Sequence, residues 1–342
     1  MHVAVVILAW NNRAYLERFL PVLQKYTPAS QAELIVVDNA SEDDTADWLK
    51  QQYPGLRRIC LARNLGYAGA YNTALAGLPH DYFICLNSDV EVTNGWLDPL
   101  IRLMEENPEI GACMPKLLSL NAKNEFEYAG AAGGFLDHWG YPFCRGRIFN
   151  IVETDRGQYD EPQQIFWASG ACLMLRAKAF RQSGGFDPRF FAHMEEIDLC
   201  WRMKNRGWTI WCQPSSFVYH LGGGSLSSEN PRKSYLNFRN NLLMLFKNLP
   251  VRDLCLVLPI RLILDGVAVL RFMVKGQMTH CLAVLQAHLA FYRNLKGLRS
   301  SAGHRTSLKK LQGIYRGSIA FEFFLNDIQQ FSALDGEKIN RL

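Results

Sequence analysis

The chain has 342 residues, 49% hydrophobic and 20% charged, which gives ample apolar material for one large or two medium folded units and excludes a disordered or fibrous protein. Its nine cysteines (60, 85, 113, 144, 172, 200, 212, 255 and 281) stand singly with no Cys-x-x-Cys pair, so neither a disulfide framework nor a zinc knuckle is indicated, and they read as reduced core residues. The net charge of +5 conceals an asymmetry: residues 231–316 hold 15 Lys and Arg against only Asp253 and Asp265, a net of +13, which leaves −8 on the rest. Such a basic third beside an acidic body suits an anionic partner, a phospholipid surface or a pyrophosphate-linked substrate, although solvated helix faces explain part of it.

In chain order, the N-terminus lacks a basic leader and a small-residue cleavage site, and its apolar run at 3–9 is only strand length, so a cytoplasmic protein is expected. Residues 14–26 have helical spacing, and 33–37 form a second strand-like run ending at Asp38. A capping-like Ser41-Glu-Asp-Asp opens a helix to about residue 53, followed by a short strand at 58–61. Residues 65–78 read as a Gly/Ala-rich helix, 82–86 as a strand, 96–106 as a helix and 110–114 as a strand. Strands alternating with helices at this spacing predict an α/β fold around a doubly wound, mostly parallel sheet. Ligands of such sheets bind beyond the carboxyl ends of the strands, where Trp10, Asn11, Asp38, Asn39 and Asp89 would gather.

Asp38 suits hydrogen bonds from a base or ribose, and equally a turn or helix cap. The loop from Arg63 to Asn72 opens a helix with Gly66 and Gly69, a composition that lets backbone N–H groups approach a phosphate or sugar. No G-x-G-x-x-G follows the first strand, which argues against a nicotinamide-dependent oxidoreductase. Phe83 to Asp89 ends a buried strand on a carboxylate, and the acidic cluster His193-Met-Glu-Glu-Ile-Asp198 follows about a hundred residues later, as metal-assisted chemistry on a nucleotide-activated substrate requires.

Eight segments in order carry a specific resemblance: Val5-Val-Ile-Leu-Ala-Trp-Asn-Asn12, Ile35-Val-Val-Asp-Asn-Ala-Ser41, Asn64-Leu-Gly-Tyr-Ala-Gly-Ala-Tyr-Asn72, Leu86-Asn-Ser-Asp89, Ala168-Ser-Gly-Ala171, Gly184-Gly-Phe-Asp187, Glu195-Glu-Ile-Asp-Leu-Cys-Trp-Arg202 and His220-Leu-Gly-Gly-Gly-Ser225. Across about residues 3–245 the chain resembles family 2 glycosyltransferases of the GT-A fold, in particular their rhamnosyltransferase-like bacterial branch. The resemblance implies transfer of a sugar from a nucleotide diphosphate donor to an acceptor hydroxyl with inversion, using a divalent cation, Mg2+ or Mn2+, and a carboxylate base. It places Asp89 as metal ligand with Asn87 where the family pattern has its first acidic residue, and His220 as a second ligand before a glycine run that would wrap the diphosphate. Trp10, Asp38, Asn64, Gly66, Asn72, Asn87 and Asp89 are then the donor-binding set. The base falls on Glu196, with Glu195 assisting, although the family commonly has Asp at that position. On a helix Glu195, Asp198 and Arg202 would share one face, and Asp198 with Arg202 also fits a plain i, i+4 ion pair. Trp167, Ser169, Gly170 and Asp198 are expected on the acceptor side, with core packing the other reading of Trp167. Residues 119–165, rich in Gly and aromatics, read as a variable substrate loop, and 166–172 as a strand re-entering the sheet edge.

Beyond Pro250 the pattern changes, so the expected division is a catalytic domain at 1–249 and a basic helical region at 250–342. Residues 254–274 are mainly aliphatic, with Asp253, Arg261, Asp265, Arg271 and Lys275 within roughly a third of the helical wheel. These charges disfavour a membrane span and fit an interfacial helix at an anionic surface, followed by further basic residues at 293, 296, 299, 305, 309 and 310; packing on the catalytic domain or in a homodimer is the alternative. The expectation is therefore an enzyme at the inner face of the cell membrane, building a cell-surface polysaccharide on a glycan or lipid-linked glycan acceptor. A sugar-phosphate nucleotidyltransferase and a noncatalytic nucleotide- or sugar-binding relative are the other readings. A nucleic-acid partner is not expected, because the basic stretch is interleaved with aliphatic rather than aromatic residues.

Overall fold

The computed structural model describes residues 2–222, 230–299 and 303–340. Its first half alternates as the apolar pattern predicts: β1 (Val3–Ala9), α1 (Arg13–Tyr26), β2 (Ala32–Asp38), α2 (Thr45–Gln52), β3 (Arg57–Cys60), α3 (Gly66–Ala76), β4 (Tyr82–Asn87), β5 (Val90–Val92), α4 (Leu97–Glu106) and β6 (Ile110–Ser119). The apolar runs of β1, β2 and β4 are buried on both faces, as strands of a helix-covered parallel sheet must be. Leu16, Leu20 and Leu23 of α1, and Leu97, Leu100 and Met104 of α4, recur at helical spacing and supply that cover.

The expected loop at 119–165 instead holds a small sheet: β7 (Gly134–Asp137), β8 (Pro142–Cys144), β9 (Arg147–Ile148) and β10 (Ile151–Val152), with β11 (Gln163–Gln164) returning to the main sheet. The strand expected at the sheet edge from 166 begins later, as β12 (Cys172–Arg176), and lies inside the sheet, antiparallel to both β4 and β6. The chain continues through α5 (Ala177–Gln182), α6 (Glu195–Lys204), β13 (Thr209–His220), α7 (Pro231–Asn248), α8 (Val251–Val274), α9 (Met278–Arg293), β14 (Ile314–Tyr315) and α10 (Ile319–Phe324). The main sheet runs β11-β13-β6-β12-β4-β1-β2-β3, with β5 paired to β13.

The segment after Pro250 shares the core of what precedes it. β14 pairs with β7, Phe331 N–H donates to Glu153, Ile319 N–H donates to Asp137, and one hydrophobic cluster runs from Val3 to Ile339. The predicted polar stripe of α8 is present, but Arg261 and Asp265 are only 4% and 0% exposed. They face inward: Arg261 Nε donates to Asp265 at 2.8 Å and stacks 3.6 Å over Tyr141, and Asp265 also meets His288 of α9 at 3.0 Å. Arg271 and Lys275 of the same stripe stay exposed, so the middle of the helix turns its charges inward and leaves aliphatic side chains facing out.

Candidate active site

Strand register assembles the site. Ala9 of β1 pairs with Asp38 of β2, and Leu8 with Asn87 of β4, so Trp10, Asp38 and the Asn87-Ser88-Asp89 turn emerge from the same carboxyl edge. Asp38 is buried and accepts from Ser41 N–H at 3.3 Å, while Trp10 stands 45% exposed at the rim. Asn39 donates to Asn64 at 2.9 Å and accepts from Leu65 N–H, Asn64 accepts from Gly66 N–H at 2.8 Å, and Tyr67 N–H donates to Phe191 O at 2.9 Å. These bonds occupy the amides that open α3, so Asn64 and Gly66 order the loop rather than leaving that terminus open to a phosphate. Gly66 is required for a packing reason: at φ +67, a Cβ there would sit 2.5 Å from Phe191 O.

The next turn brings in two residues distant in sequence. β5 pairs with β13 so that Val90 faces His220, and Leu221 N–H donates to Asp89 O. His220 Nε2 thereby lies 3.1 Å from Asp89 Oδ1, and its Nδ1 lies 3.3 Å from Glu127 Oε1, close enough for ionic pairing though not aligned as a hydrogen bond. Burial alone would lower the imidazole pKa, but Glu127 and Asp89 outweigh it and raise it to about 10. Among the described residues no three His, Cys, Asp or Glu side chains form a metal cage. Asp89 offers a carboxylate to a Mg2+ or Mn2+ ion whose other ligands would be phosphate oxygens and water, whereas His220 would join it only after giving up the proton that Glu127 and Asp89 stabilise. Of the glycine run expected to follow His220, Gly222 is described, whereas residues 223–225 lie outside the described residues.

The second acidic centre starts α6. Phe191, His193 and Met194 all adopt positive φ, between 64° and 70°, a costly sequence of conformations for residues with side chains. Asn240 of α7 restrains them: its buried Nδ2 lies 3.0, 2.8 and 2.7 Å from the carbonyls of Phe190, Ala192 and His193, and Arg239 donates to the carbonyls of Arg189 and Phe190. The turn presents Glu195 and Glu196, each with a buried Oε2 that has no hydrogen-bond partner. Burial, then the charge of Glu196, pushes Glu195 well above the usual carboxylate range, and burial raises Glu196 to about 7. Burial, with Lys233 nearby, lowers His193 to about 4. Burial pushes up the Cys144 thiol against the opposing charge and hydrogen bond of Arg147.

Other expected site residues have structural partners. Both polar atoms of Asn72 bind the backbone of Phe186, at 2.7 and 2.9 Å, so it pins the 184–187 turn. Trp167 is buried, donates to Phe135 O at 3.0 Å and packs on Gly134, where a Cβ would collide with its ring. Ser169 Oγ accepts from Ala171 N–H, and Gly170 O accepts from Tyr67 OH. Asp198 is a correction: it has no exposed surface for an acceptor and is saturated by Arg202, Lys247 and Asn248, each at 2.8 Å. Burial alone would raise the Asp198 carboxyl, yet Arg202 and Lys247 hold it below its ordinary value. Lys247 also binds Asp187 at 2.7 Å, so α7 is tied to the 184–187 turn as well as to α6. Glu127, Asn240 and Lys247 were missed by the motif reading; only the polar Arg239-Asn-Asn241 run inside an apolar helix signals Asn240. A cavity of about 450 Å3 lies elsewhere, around His80, Asp81, Tyr82 and Arg176 at the amino end of β4, so convergent chemistry rather than cavity volume marks this site.

A family model described as glycosyl transferase family 2 matches residues 4–184. The chain is 31% identical over 234 residues to N-acetylglucosaminyl-diphospho-decaprenol L-rhamnosyltransferase of Mycobacterium tuberculosis, an alignment covering 63% of this chain and 75% of that protein. A mannosyltransferase structure from Pyrobaculum calidifontis, in complex with GDP-Man and Mn2+, aligns with a TM-score of 0.52 at 14% identity, covering 88% of this chain and 83% of that one. The structure of GalNAc-T7 with UDP, GalNAc and Mn2+ aligns with a TM-score of 0.56 at 19% identity over 73% of this chain, which spans only 48% of its length. At these identities the structural likeness shows the fold alone, which is GT-A.

Proposed function

The chain belongs to glycosyl transferase family 2, in its rhamnosyltransferase-like branch, and from that premise we propose that it moves a sugar from a nucleotide diphosphate donor to an acceptor hydroxyl with inversion. The observation that carries this reading is the pair of acidic centres: Asp89 with His220 beyond β4, and Glu195 with Glu196 at the start of α6. One suits the leaving diphosphate and the other the incoming nucleophile. Asp89 would hold a divalent cation, with His220 joining it once deprotonated, and the cation would supply positive charge to the departing diphosphate. Asp38 and Trp10 at the rim suit the nucleoside, and Asn87 faces the donor from the end of β4.

In the displacement, the acceptor oxygen bonds to the anomeric carbon as the carbon–oxygen bond to the diphosphate breaks, and the hydroxyl proton passes to Glu196. Burial suits Glu196 to that work, since a carboxyl poised near neutrality accepts a proton more readily than an ordinary one. Burial and the charge of Glu196 push the Glu195 carboxyl well above its ordinary range, which opposes a second negative charge beside the base. The acceptor is a glycan carried on a lipid, in the synthesis of a cell-surface polysaccharide at the inner face of the membrane. The name of the mycobacterial relative supports that class, and the basic C-terminal third suits the anionic surface. No helix among the described residues is long and apolar enough to cross a membrane.

The test is a screen of nucleotide sugars for binding and hydrolysis with Mg2+ or Mn2+, followed by transfer to a lipid-diphosphate-linked sugar. Release of nucleoside diphosphate with retention at the transferred anomeric centre, or metal-dependent binding of no donor, would defeat the reading.

A further inference from the structure

The hairpin of α8 and α9 is built inside out for a helix pair in water. On α8, Leu256, Ile263, Val267, Leu270 and Val274 are 55–89% exposed, and their spacing of seven, four, three and four places them on one stripe. On α9, Met278, Leu282, Leu285, Leu289 and Tyr292, spaced four, three, four and three, form a second stripe with 54–58% exposure. Two charged residues at the middle of α8, Arg261 and Asp265, are buried against Tyr141 and His288, while Arg252 and Arg271 near its ends stay exposed. Burying an ion pair while leaving two aliphatic stripes bare is unfavourable if water lies outside, and becomes favourable if hydrocarbon does.

We propose that this hairpin inserts its two outward stripes into the interfacial layer of an anionic bilayer and thereby docks the catalytic unit on the membrane. The proposal deepens the lipid-linked acceptor reading and rests on it. Charge complementarity selects the occupant: Arg252, Arg271, Lys275, Arg293, Lys296, Lys309 and Lys310 are exposed in and after the hairpin, whereas no carboxylate is exposed among the described residues of 251–316. A second copy of the chain would set one +13 segment against another, while anionic headgroups neutralise it. The hairpin lies in the interface rather than across the bilayer, because Arg261 and Asp265 remain tied to the protein halfway along α8.

The experiment sediments the full-length chain with vesicles of phosphatidylglycerol and phosphatidylcholine, and with phosphatidylcholine alone, beside the double variant Ile263→Asp with Leu285→Asp. The parent chain should bind the anionic vesicles far better, keep part of that binding at high salt, and lose about tenfold or more of its affinity in the double variant. Both substitutions are at exposed positions, so thermal unfolding and donor binding by calorimetry should be unchanged. Three results would overturn the proposal: a parent chain left in the supernatant at low salt, a double variant that binds vesicles equally well, or a parent dimer that the variant splits. Sedimentation needs no turnover, so a failed donor-binding screen counts against the transferase reading and leaves this result standing.

Discussion

Replacing Glu196 with Gln should make the protein more stable while removing transfer, and the structure gives the size of the effect. The Glu196 carboxyl is raised by burial from 4.5 to about 7, so the folded state holds its proton over a range in which the unfolded chain has released it. Well below pH 4.5 both states are protonated and the group has no effect. As pH rises towards 7 the unfolded state ionises first and folding is progressively disfavoured. Above about 7 the penalty is complete, on the order of 3 kcal/mol at ~1.4 kcal/mol per unit. Gln keeps the shape and cannot ionise, and because Glu196 already carries a buried oxygen without a partner, the amide adds little new desolvation. With an unfolding entropy of about 2.1 cal/mol/K per residue over 342 residues, the advantage is a Tm higher by ~4 °C at about pH 8, about 1 °C near pH 5, and gone only below about pH 4. Circular dichroism melts across that range measure it. In parallel, kcat/KM of the parent should rise with pH to a plateau above about 7, as the base ionises, while the Gln variant binds donor without transferring sugar. A Tm difference independent of pH would refute the burial argument, and a variant that transfers normally would refute the assignment of the base.

Asp89→Ala should abolish Mn2+-dependent binding of nucleoside diphosphate in calorimetry, since a hard cation would lose its carboxylate; undiminished metal-dependent binding would put the cation elsewhere. Asn240→Ala frees three carbonyls of a left-handed turn, so kcat should fall with little change in donor KM and stability should drop by roughly 2–3 kcal/mol; a pure KM effect would contradict its part in holding Glu195 and Glu196. Lys247→Met leaves Asp187 and Asp198 buried without their shared cation and should cost about 3–5 kcal/mol by denaturant unfolding. Burial opposes ionisation of those two carboxyls, but their cations hold both below 3.8, so the parent keeps this stabilisation above that pH and loses it only as acid falls through the depressed values.

The sequence by itself determined the local elements and the residues at their ends. Continuous apolar runs required buried strands at β1, β2 and β4, and each run stops where a polar group must leave the core, which placed Asp38 and Asn87-Ser88-Asp89 at one edge. The Asp198–Arg202 bond followed from helical spacing, whereas the choice of Glu195 and Glu196 came from the resemblance to a family pattern. Pattern could not give contacts made across the chain. Glu127 lies in an irregular aromatic stretch and reaches His220 because its N–H is held by Leu117 O of β6, the strand beside β13; Asn240 is one polar residue on an apolar helix until α7 packs under the 190–194 turn. The helical wheel of α8 showed a charged stripe and an aliphatic one, but periodicity fixes the angle between residues and not which side meets the core. That was decided by Tyr141 and His288, which satisfy Arg261 and Asp265 inside the fold and leave the aliphatic side to face outward.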